Sequence, residues 1–115
     1  MKKILFGNSN KDSNNYRQWI VGDFLPTDSP LKTGKVEIKW GKHKKNEQKL
    51  DGPQKVDCKT LVILIYGKFK IILPATQEEF ILENEGDYLF FDKDTLHNWV
   101  SLEDTLILTI RWSDD

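Results

Sequence analysis

Two residue types that carry much of protein chemistry are scarce in this chain. Its 115 residues include one cysteine and two histidines. The single cysteine, Cys58, excludes an internal disulfide and a Cys-x-x-Cys pair, and we expect the reducing environment of the cytoplasm. A reactive thiol is one interpretation of Cys58, and a chemical spectator is the other. Two histidines also exclude a metal site built on three histidine ligands.

The chain also lacks a long apolar run and an excess of charge of one sign. No segment approaches the roughly 18 apolar residues of a membrane-spanning helix. Residues 1–8 contain three consecutive apolar side chains before the sequence turns polar, fewer than the roughly seven of a secretory signal. Lys and Arg number 17 and Asp and Glu 18, which gives a net charge of −1. We therefore expect no membrane partner and no nucleic-acid partner.

What the chain does contain is a series of short segments with the composition of β-strands. They are rich in Ile, Val, Thr and aromatic residues, and Gly, Pro, Asp or Asn separates them. The predicted strands span residues 18–26, 35–41, 60–67, 68–74, 80–84, 88–92, 97–102 and 105–112, with an edge strand at 3–6. Many short strands without a helical period predict an all-β, antiparallel sandwich or barrel.

The length favours one domain spanning residues 1–115. Residues 1–34 would hold N-terminal strands and a polar loop, and residues 35–112 the barrel core. Two segments, 7–15 and 41–59, are polar enough to be loops. The second is long for a compact domain and carries several lysines, which either attract an acidic partner or are simply solvated.

Local patterns support the strands. Between residues 35 and 41, the apolar side chains fall on one face and the charged ones on the other, namely Val36, Ile38 and Trp40 against Glu37 and Lys39. A glycine at position 67 lies between two apolar runs and predicts a tight hairpin. Residues 76–79 have the pattern of a helical capping box, but the segment that follows is short, so a strand is favoured there.

One stretch near the C-terminus resembles the second sequence motif of the cupin superfamily, G-x5-P-x-G-x2-H-x3-N. Gly86 and His97 stand at the spacing of this motif. Asp92 takes the proline position, Asp94 the second glycine and Ser101 the asparagine. The substitution at Asp94 is tolerable because Asp is among the non-glycine residues that adopt a positive φ. The resemblance implies a small, RmlC-like jelly-roll barrel, with His97 at the start of a strand and its ring inside.

The first cupin motif, G-x5-H-x-H-x3,4-E-x6-G, is matched only in part. His43 and Glu47 take the second histidine and the glutamate, whereas Gly41 stands at the first histidine. The closing glycine would fall at Gln54, but the glycine that ends the next predicted strand is Gly67, thirteen residues later. If the motif is aligned to Gly67 as its closing glycine, no histidine stands at its histidine positions. The resemblance covers residues 35–112.

The resemblance implies a metal site that this chain has only in part. Cupin metals typically sit among three histidines and a carboxylate. The residues present, His43, Glu47 and His97, form the two-histidine, one-carboxylate set that binds iron(II) and leaves positions open. Fe, Mn, Ni or Zn would be the metal. The alternative for His97 is a hydrogen-bonded side chain at the barrel mouth, and Glu47 would be absent from the site if the inserted loop hangs in solvent.

A ligand pocket in the barrel is the other implied site. Its candidate residues are aromatic or polar side chains on predicted strands, and they could equally be core filler or face the outer sheet surface. They are Trp40, Thr60, Tyr66, Phe90, Trp99, Thr109 and Arg111.

Three functions are compatible with these residues, because cupins host several chemistries on one scaffold. The first is a cytosolic cupin that binds a small polar or anionic ligand, with or without a divalent metal. The second is a metal-dependent enzyme, an iron(II) dioxygenase or related oxidoreductase. The third is a metal-free dimeric interaction module. We expect a homodimer in any case, since exposed strand edges favour pairing.

Overall fold

The computed structural model describes residues 4–114, and its regular secondary structure is almost entirely antiparallel strands. The predicted all-β jelly roll is confirmed, and each predicted strand between residues 18 and 112 has a counterpart. In chain order the elements are α1 (Ser9–Asp12), β1 (Trp19–Val21), β2 (Val36–His43), β3 (Lys59–Tyr66), β4 (Phe69–Leu73), β5 (Glu78–Leu82), β6 (Tyr88–Phe91), β7 (Asn98–Ser101) and β8 (Thr105–Trp112).

The strands form two sheets that face each other across the core. The larger sheet has the order β1-β2-β8-β3-β6, and the smaller has the order β5-β4-β7. Strands that are distant in sequence are neighbours in both sheets, as in a jelly roll. All eight residues of β2 pair with β8, from the pair Val36 and Trp112 to the pair His43 and Thr105.

The core lies between the sheets and follows the two-residue period of the strands. In β3, for example, Thr60, Val62 and Leu64 are buried while their neighbours are more exposed. Side chains at alternate positions point to the same face of a sheet, so one face of β3 packs inward. The buried apolar cluster consists of Val62, Leu64, Phe69, Ile71, Leu82, Phe91 and Ile107.

The inward face of β2 is unusually polar. Lys39 pairs with Thr109 and His43 with Thr105, and Lys39 and His43 line the space between the sheets. The apolar side chains of the same strand, among them Ile38 and Trp40, therefore lie on the outer face. In this strand the charged side chains point into the barrel, and the apolar ones point away from it.

The inserted segment between β2 and β3 folds against the barrel. Its backbone bridges β7 at two points, Gln48 with Val100 and Gln54 with His97. The amide of Asn46 also donates to the carbonyl of Ser101 at 2.7 Å. The segment thus covers the free edge of β7 with backbone hydrogen bonds, which protects that edge from other chains.

Smaller differences from the sequence-based expectations concern the chain's N-terminal third. The polar segment 7–15 contains the short helix α1, in which Asn8 caps the backbone amides of Asn10 and Lys11. Residues 4–6 are not a strand, so the edge strand predicted at 3–6 was wrong for the described part, while residue 3 lies outside it. No helix within 4–114 is long and apolar enough to cross a membrane.

We expect the β3–β4 hairpin to require glycine for two separate reasons. Gly67 has a φ of +99°, and an added Cβ would lie 2.4 Å from the carbonyl of Asp104 and 2.6 Å from the Cα of Thr105. Gly67→Ala should lower the free energy of unfolding by about 3 kcal/mol through strain and overlap. Gly86→Ala keeps the strain alone, since φ is +89° with open space around it, and should cost about 1 kcal/mol. Urea unfolding measures both.

Gly34 provides the neutral control, because it has neither a positive φ nor any atom within 4 Å of an added Cβ. Gly34→Ala should change stability by less than about 0.5 kcal/mol. Equal losses in the Gly67 and Gly86 variants would show that the hairpin relaxes around the methyl group and that packing at Gly67 is not tight.

Candidate functional site

A pocket opens between the two sheets. Its cavity volume is about 60 Å³, within about 480 Å³ of empty space that includes the open mouth. The larger sheet supplies most of the polar wall, and the smaller sheet supplies most of the apolar wall. The lining residues are Lys39, His43, Thr60, Val62, Phe69, Ile71, Phe91, His97, Asn98, Trp99, Ile107, Thr109 and Arg111.

Two cations dominate the polar wall. Lys39 of β2 and Arg111 of β8 both contact the indole ring of Trp19, at 5.5 and 4.8 Å from its centroid. Burial lowers the pKa of Lys39, and the positive charge of Arg111 lowers it further. None of the ion pairs formed within residues 4–114 includes either cation. An aromatic ring thus stands where a carboxylate would normally neutralise them.

Two buried polar atoms on this wall have no hydrogen-bond partner within residues 4–114. They are Oγ1 of Thr60 and Nε of Arg111, which lie on the paired strands β3 and β8 at directly opposed positions. The thiol of Cys58 is near Thr60 but does not complete a hydrogen bond of normal geometry. Buried polar atoms are nearly always paired. Two unpaired atoms side by side in a pocket therefore mark a place where a ligand or water completes the bonding.

His43 closes the pocket at the end of β2. Its Nδ1 lies 2.6 Å from Oε2 of Glu47, while its ring packs against Trp99 at 4.5 Å and Phe69 at 5.5 Å between centroids. Burial lowers the pKa of His43, and the hydrogen bond with Glu47 raises it by less. The neutral ring donates from Nδ1 to the carboxylate, which leaves Nε2 as an acceptor.

His97 precedes β7 and is 7% exposed. Its Nδ1 donates to the carbonyl of Thr95 at 3.1 Å, and its ring contacts Phe91 at 4.6 Å between centroids. Burial lowers its pKa, and the charge of Arg111 acts in the same direction. Both histidines are therefore mainly neutral near pH 7, with Nε2 unprotonated.

Glu47 lies on the inserted segment that is bonded to β7, next to the barrel wall. Its Oε1 also accepts from the amide of Lys44 at 3.2 Å. Burial raises the pKa of Glu47, but the hydrogen bonds from His43 and Lys44 outweigh it, so the net shift is downward. The carboxylate is thus ionised and orients the His43 ring.

The predicted metal ligands are not arranged as a complete set. Within residues 4–114, no group of three or more His, Cys, Asp and Glu side chains could hold a metal ion. His43 and His97 both line the pocket, while Glu47 is engaged by the Nδ1 of His43 and is not among the lining residues. The donors present are therefore two imidazole nitrogens, which is fewer than a divalent transition metal normally takes from a protein.

The predicted pocket residues divide into those that face the pocket and those that lie on the outer side of their strands. Thr60, Trp99, Thr109 and Arg111 line the pocket, and three other candidates do not. Trp40 faces outward and donates from its indole nitrogen to Oδ1 of Asn10. Tyr66 is 50% exposed and Phe90 is 45% exposed. Phe90 occupies an outward position of β6. Tyr66 would continue the inward series of β3, but the register shift between Leu64 and Tyr66 turns it outward.

Sequence reasoning missed Lys39 as a pocket residue. The signal was present, since Lys39, Gly41 and His43 stand at alternate positions of one strand and so share a face. A strand whose histidine points inward must also point its lysine inward. Asn98 and the apolar residues Phe69 and Ile71 were also absent from the candidate set, although they line the pocket.

Comparison with known proteins supports the fold and nothing more specific. No protein-family model and no curated protein matches the sequence. A cupin superfamily protein from Desulfitobacterium hafniense has a similar structure, with a TM-score of 0.64 and 17% identity over 71% of each chain. KdgF from a Halomonas species gives a TM-score of 0.62 and 20% identity over 72% of this chain and 73% of its own.

An RmlC-like cupin protein from Desulfovibrio desulfuricans also has a similar structure. Its TM-score is 0.59, at 11% identity, over 70% of this chain and 74% of its own. Identities this low establish a shared fold and leave activity open. The architecture, the positions of Gly86 and His97 and these structural neighbours agree: the chain has the cupin jelly-roll fold.

Proposed function

We propose that this small cupin protein binds a small anion in the barrel pocket. The observation that carries the proposal is the pair of unpartnered buried atoms, Thr60 Oγ1 and Arg111 Nε, in a pocket that also contains Lys39. Among residues 4–114, no carboxylate is part of the pocket lining. An anion would receive charge-assisted hydrogen bonds from this wall, which are stronger than neutral ones.

The energetics of the pocket without a ligand favour the same interpretation. A half-buried cation without a carboxylate partner loses hydration that its neighbours do not replace. The lowered pKa of Lys39 records this loss, and the contacts with the Trp19 ring offset only part of it. A protein retains such groups when their benefit appears in a complex, because a ligand then supplies the missing charge.

A divalent metal at His43 and His97 is the second candidate, in line with the cupin resemblance. In its favour, the Nδ1 atoms of both rings are engaged, by Glu47 and by the Thr95 carbonyl, which orients Nε2 as metal sites require. Against it, the protein supplies two donors instead of three, and two cations share the pocket. The iron(II) dioxygenase alternative depends on this metal and stays a prediction, as do the homodimer and the interaction module.

The first test uses sulfate, whose charge is constant over the useful pH range. Sulfate should stabilise the wild-type protein in a saturable manner, by about 1.4 kcal/mol at a tenfold excess over Kd. Lys39→Met should lose this saturable component, since it removes one of the two cations of the pocket. The free energy of unfolding from urea titrations at increasing sulfate, with calorimetric titration for Kd, measures the effect.

Lys42→Met is the matched control, because Lys42 lies on the same strand, is exposed and belongs to the opposite face. It should keep the saturable response, and both variants should share the general, non-saturating effect of sulfate. Without sulfate, Lys39→Met should be at least as stable as the wild type, since it no longer buries a cation. Identical sulfate responses in all three proteins would overturn the proposal.

The stability of the ligand-free protein should fall as the pH drops below about 6.5. Burial lowers the pKa of both histidines in the folded state. The unfolded chain therefore binds more protons in this window, and acidification favours unfolding. A second loss should begin near the ordinary pKa of Glu47, whose folded-state pKa is also lowered. Urea unfolding between pH 8 and 4 measures the slope, and His97→Gln should flatten its upper part. An unchanged slope in that variant would contradict a neutral, buried His97.

Metal addition separates the two candidate functions. On untagged protein, Zn²⁺, Ni²⁺, Mn²⁺ and anaerobic Fe²⁺ should give no saturable stabilisation that depends on both histidines, because the donor set is incomplete. Thermal unfolding with and without each metal, repeated with His43→Gln and His97→Gln, measures this dependence. A stabilisation that both variants abolish would replace the anion-binding proposal with a metal-dependent one.

A further inference from the structure

We infer that the pocket selects a monocarboxylate with a compact, branched aliphatic body. The inference rests on the proposed anion binding and adds the class of anion. It rests on two features: the pocket has a polar end and an apolar end, and its volume is small. The strand register places the residues that form both ends.

The polar end is formed by two adjacent rows of the larger sheet. Arg111 lies beside Thr60 in one row, and Lys39 lies beside Thr109 in the next. His97 belongs to the same end, because the charge of Arg111 acts on it and its ring contacts Phe91, the cross-strand partner of Thr60. Glu37 extends the row of Arg111 but lines the neighbouring cavity and not this pocket. The two cations and two hydroxyl groups that line the pocket match the two oxygens of a carboxylate.

Apart from Asn98, which follows His97 in the chain, the rest of the pocket is mainly apolar. In the row after Lys39, the larger sheet contributes Ile107, and the facing sheet contributes Phe69, Ile71 and Trp99. His43 is the polar group at this end, and it is neutral, held by Glu47 and packed between aromatic rings. A second anionic group on the ligand would have no cation here, so one charge and an apolar body is the complementary ligand.

The size of the space limits the apolar body. The cavity volume is about 60 Å³, whereas an apolar cavity of about 150 Å³ accommodates benzene. A phenyl group therefore exceeds this volume, and on the same scale a body of about two or three aliphatic carbons fits. Isobutyrate has this form, with its carboxylate on a short branched chain, and isovalerate is one methylene longer.

The experiment compares acetate, isobutyrate and the uncharged isobutyramide by calorimetric titration of the full chain. Isobutyrate should bind about tenfold more tightly than acetate, because it buries two further carbon groups. Isobutyramide should bind at least tenfold more weakly than isobutyrate, since it lacks the charge. Lys39→Met should weaken both acids and Lys42→Met neither.

The outcomes separate this inference from the proposal on which it rests. If acetate binds as tightly as isobutyrate, and Lys39→Met weakens both, the pocket binds anions and the inference about the apolar body is wrong. If isobutyramide binds as tightly as isobutyrate, or if no acid distinguishes Lys39→Met from Lys42→Met, the anion proposal fails as well.

A size change at the apolar end provides an independent readout. Ile71→Val removes one methyl group from the pocket wall and should shift the preference from isobutyrate towards isovalerate, which has one more methylene, by about threefold. Ile72→Val is the control, because Ile72 is the next residue of β4, alternates to its other face and is not part of the lining. An equal preference in both variants would show that the ligand body does not reach Ile71, and would overturn the inference.

Discussion

The antiparallel pairing of β8 with β2 and β3 is the constraint on which both the barrel and its pocket depend. Because β8 is paired along both edges, the face on which each of its side chains lies determines the face of the residues paired with it. Where Arg111 faces inward, so do the paired Glu37 of β2 and Thr60 of β3. A slip of one residue would exchange the two faces of every strand. It would bring Ile110 and Ile38 between the sheets and expose the polar pocket wall. The register therefore determines at once which apolar residues form the core and which polar groups meet in the pocket.

The inserted segment contributes to the site through a single side chain. Its backbone bonds to β7 hold Glu47 beside the end of β2, where the carboxylate reaches Nδ1 of His43 at 2.6 Å. This contact engages the carboxylate with the imidazole ring, and its charge still acts on Lys39. A carboxylate directly on either cation would compete with any anionic ligand. Within residues 4–114, neither Glu47 nor Glu37, the cross-strand neighbour of Arg111, forms an ion pair with the two cations, while Glu47 fixes the orientation of the histidine that closes the pocket.

Much of the fold was predictable because its signals are local. Strand composition located every strand from β1 to β8, and the glycine hairpin at Gly67 has the positive φ that the turn requires. Asp94 also has a positive φ, 63°, as the motif comparison led us to expect. The site was less predictable, because alternation along a strand assigns side chains to two faces but does not indicate which face is inside the barrel. Trp40 was a natural choice for a pocket by its chemistry, yet the register places Lys39 there. The pairing of residues 46–54 with β7 is non-local, and composition alone predicts a loop for that segment.

The residues that stabilise the fold and those that form the polar wall of the pocket occupy different parts of the barrel. The buried cluster of Leu64, Phe69 and their neighbours has well-paired, apolar surroundings, and such cores provide most of the free energy of folding. The row of Arg111 and Thr60 contributes little to that energy, since its buried atoms lack partners and each unsatisfied group is costly. The fold tolerates this row because the cluster next to it is large enough for a domain of this size. In the free protein Arg111 has the contact with the Trp19 ring but no partner for its Nε within residues 4–114, yet the register of three strands holds it in place, which the proposed anion-bound state would explain. In that proposed state, the ligand would make the hydrogen bonds missing from the polar wall.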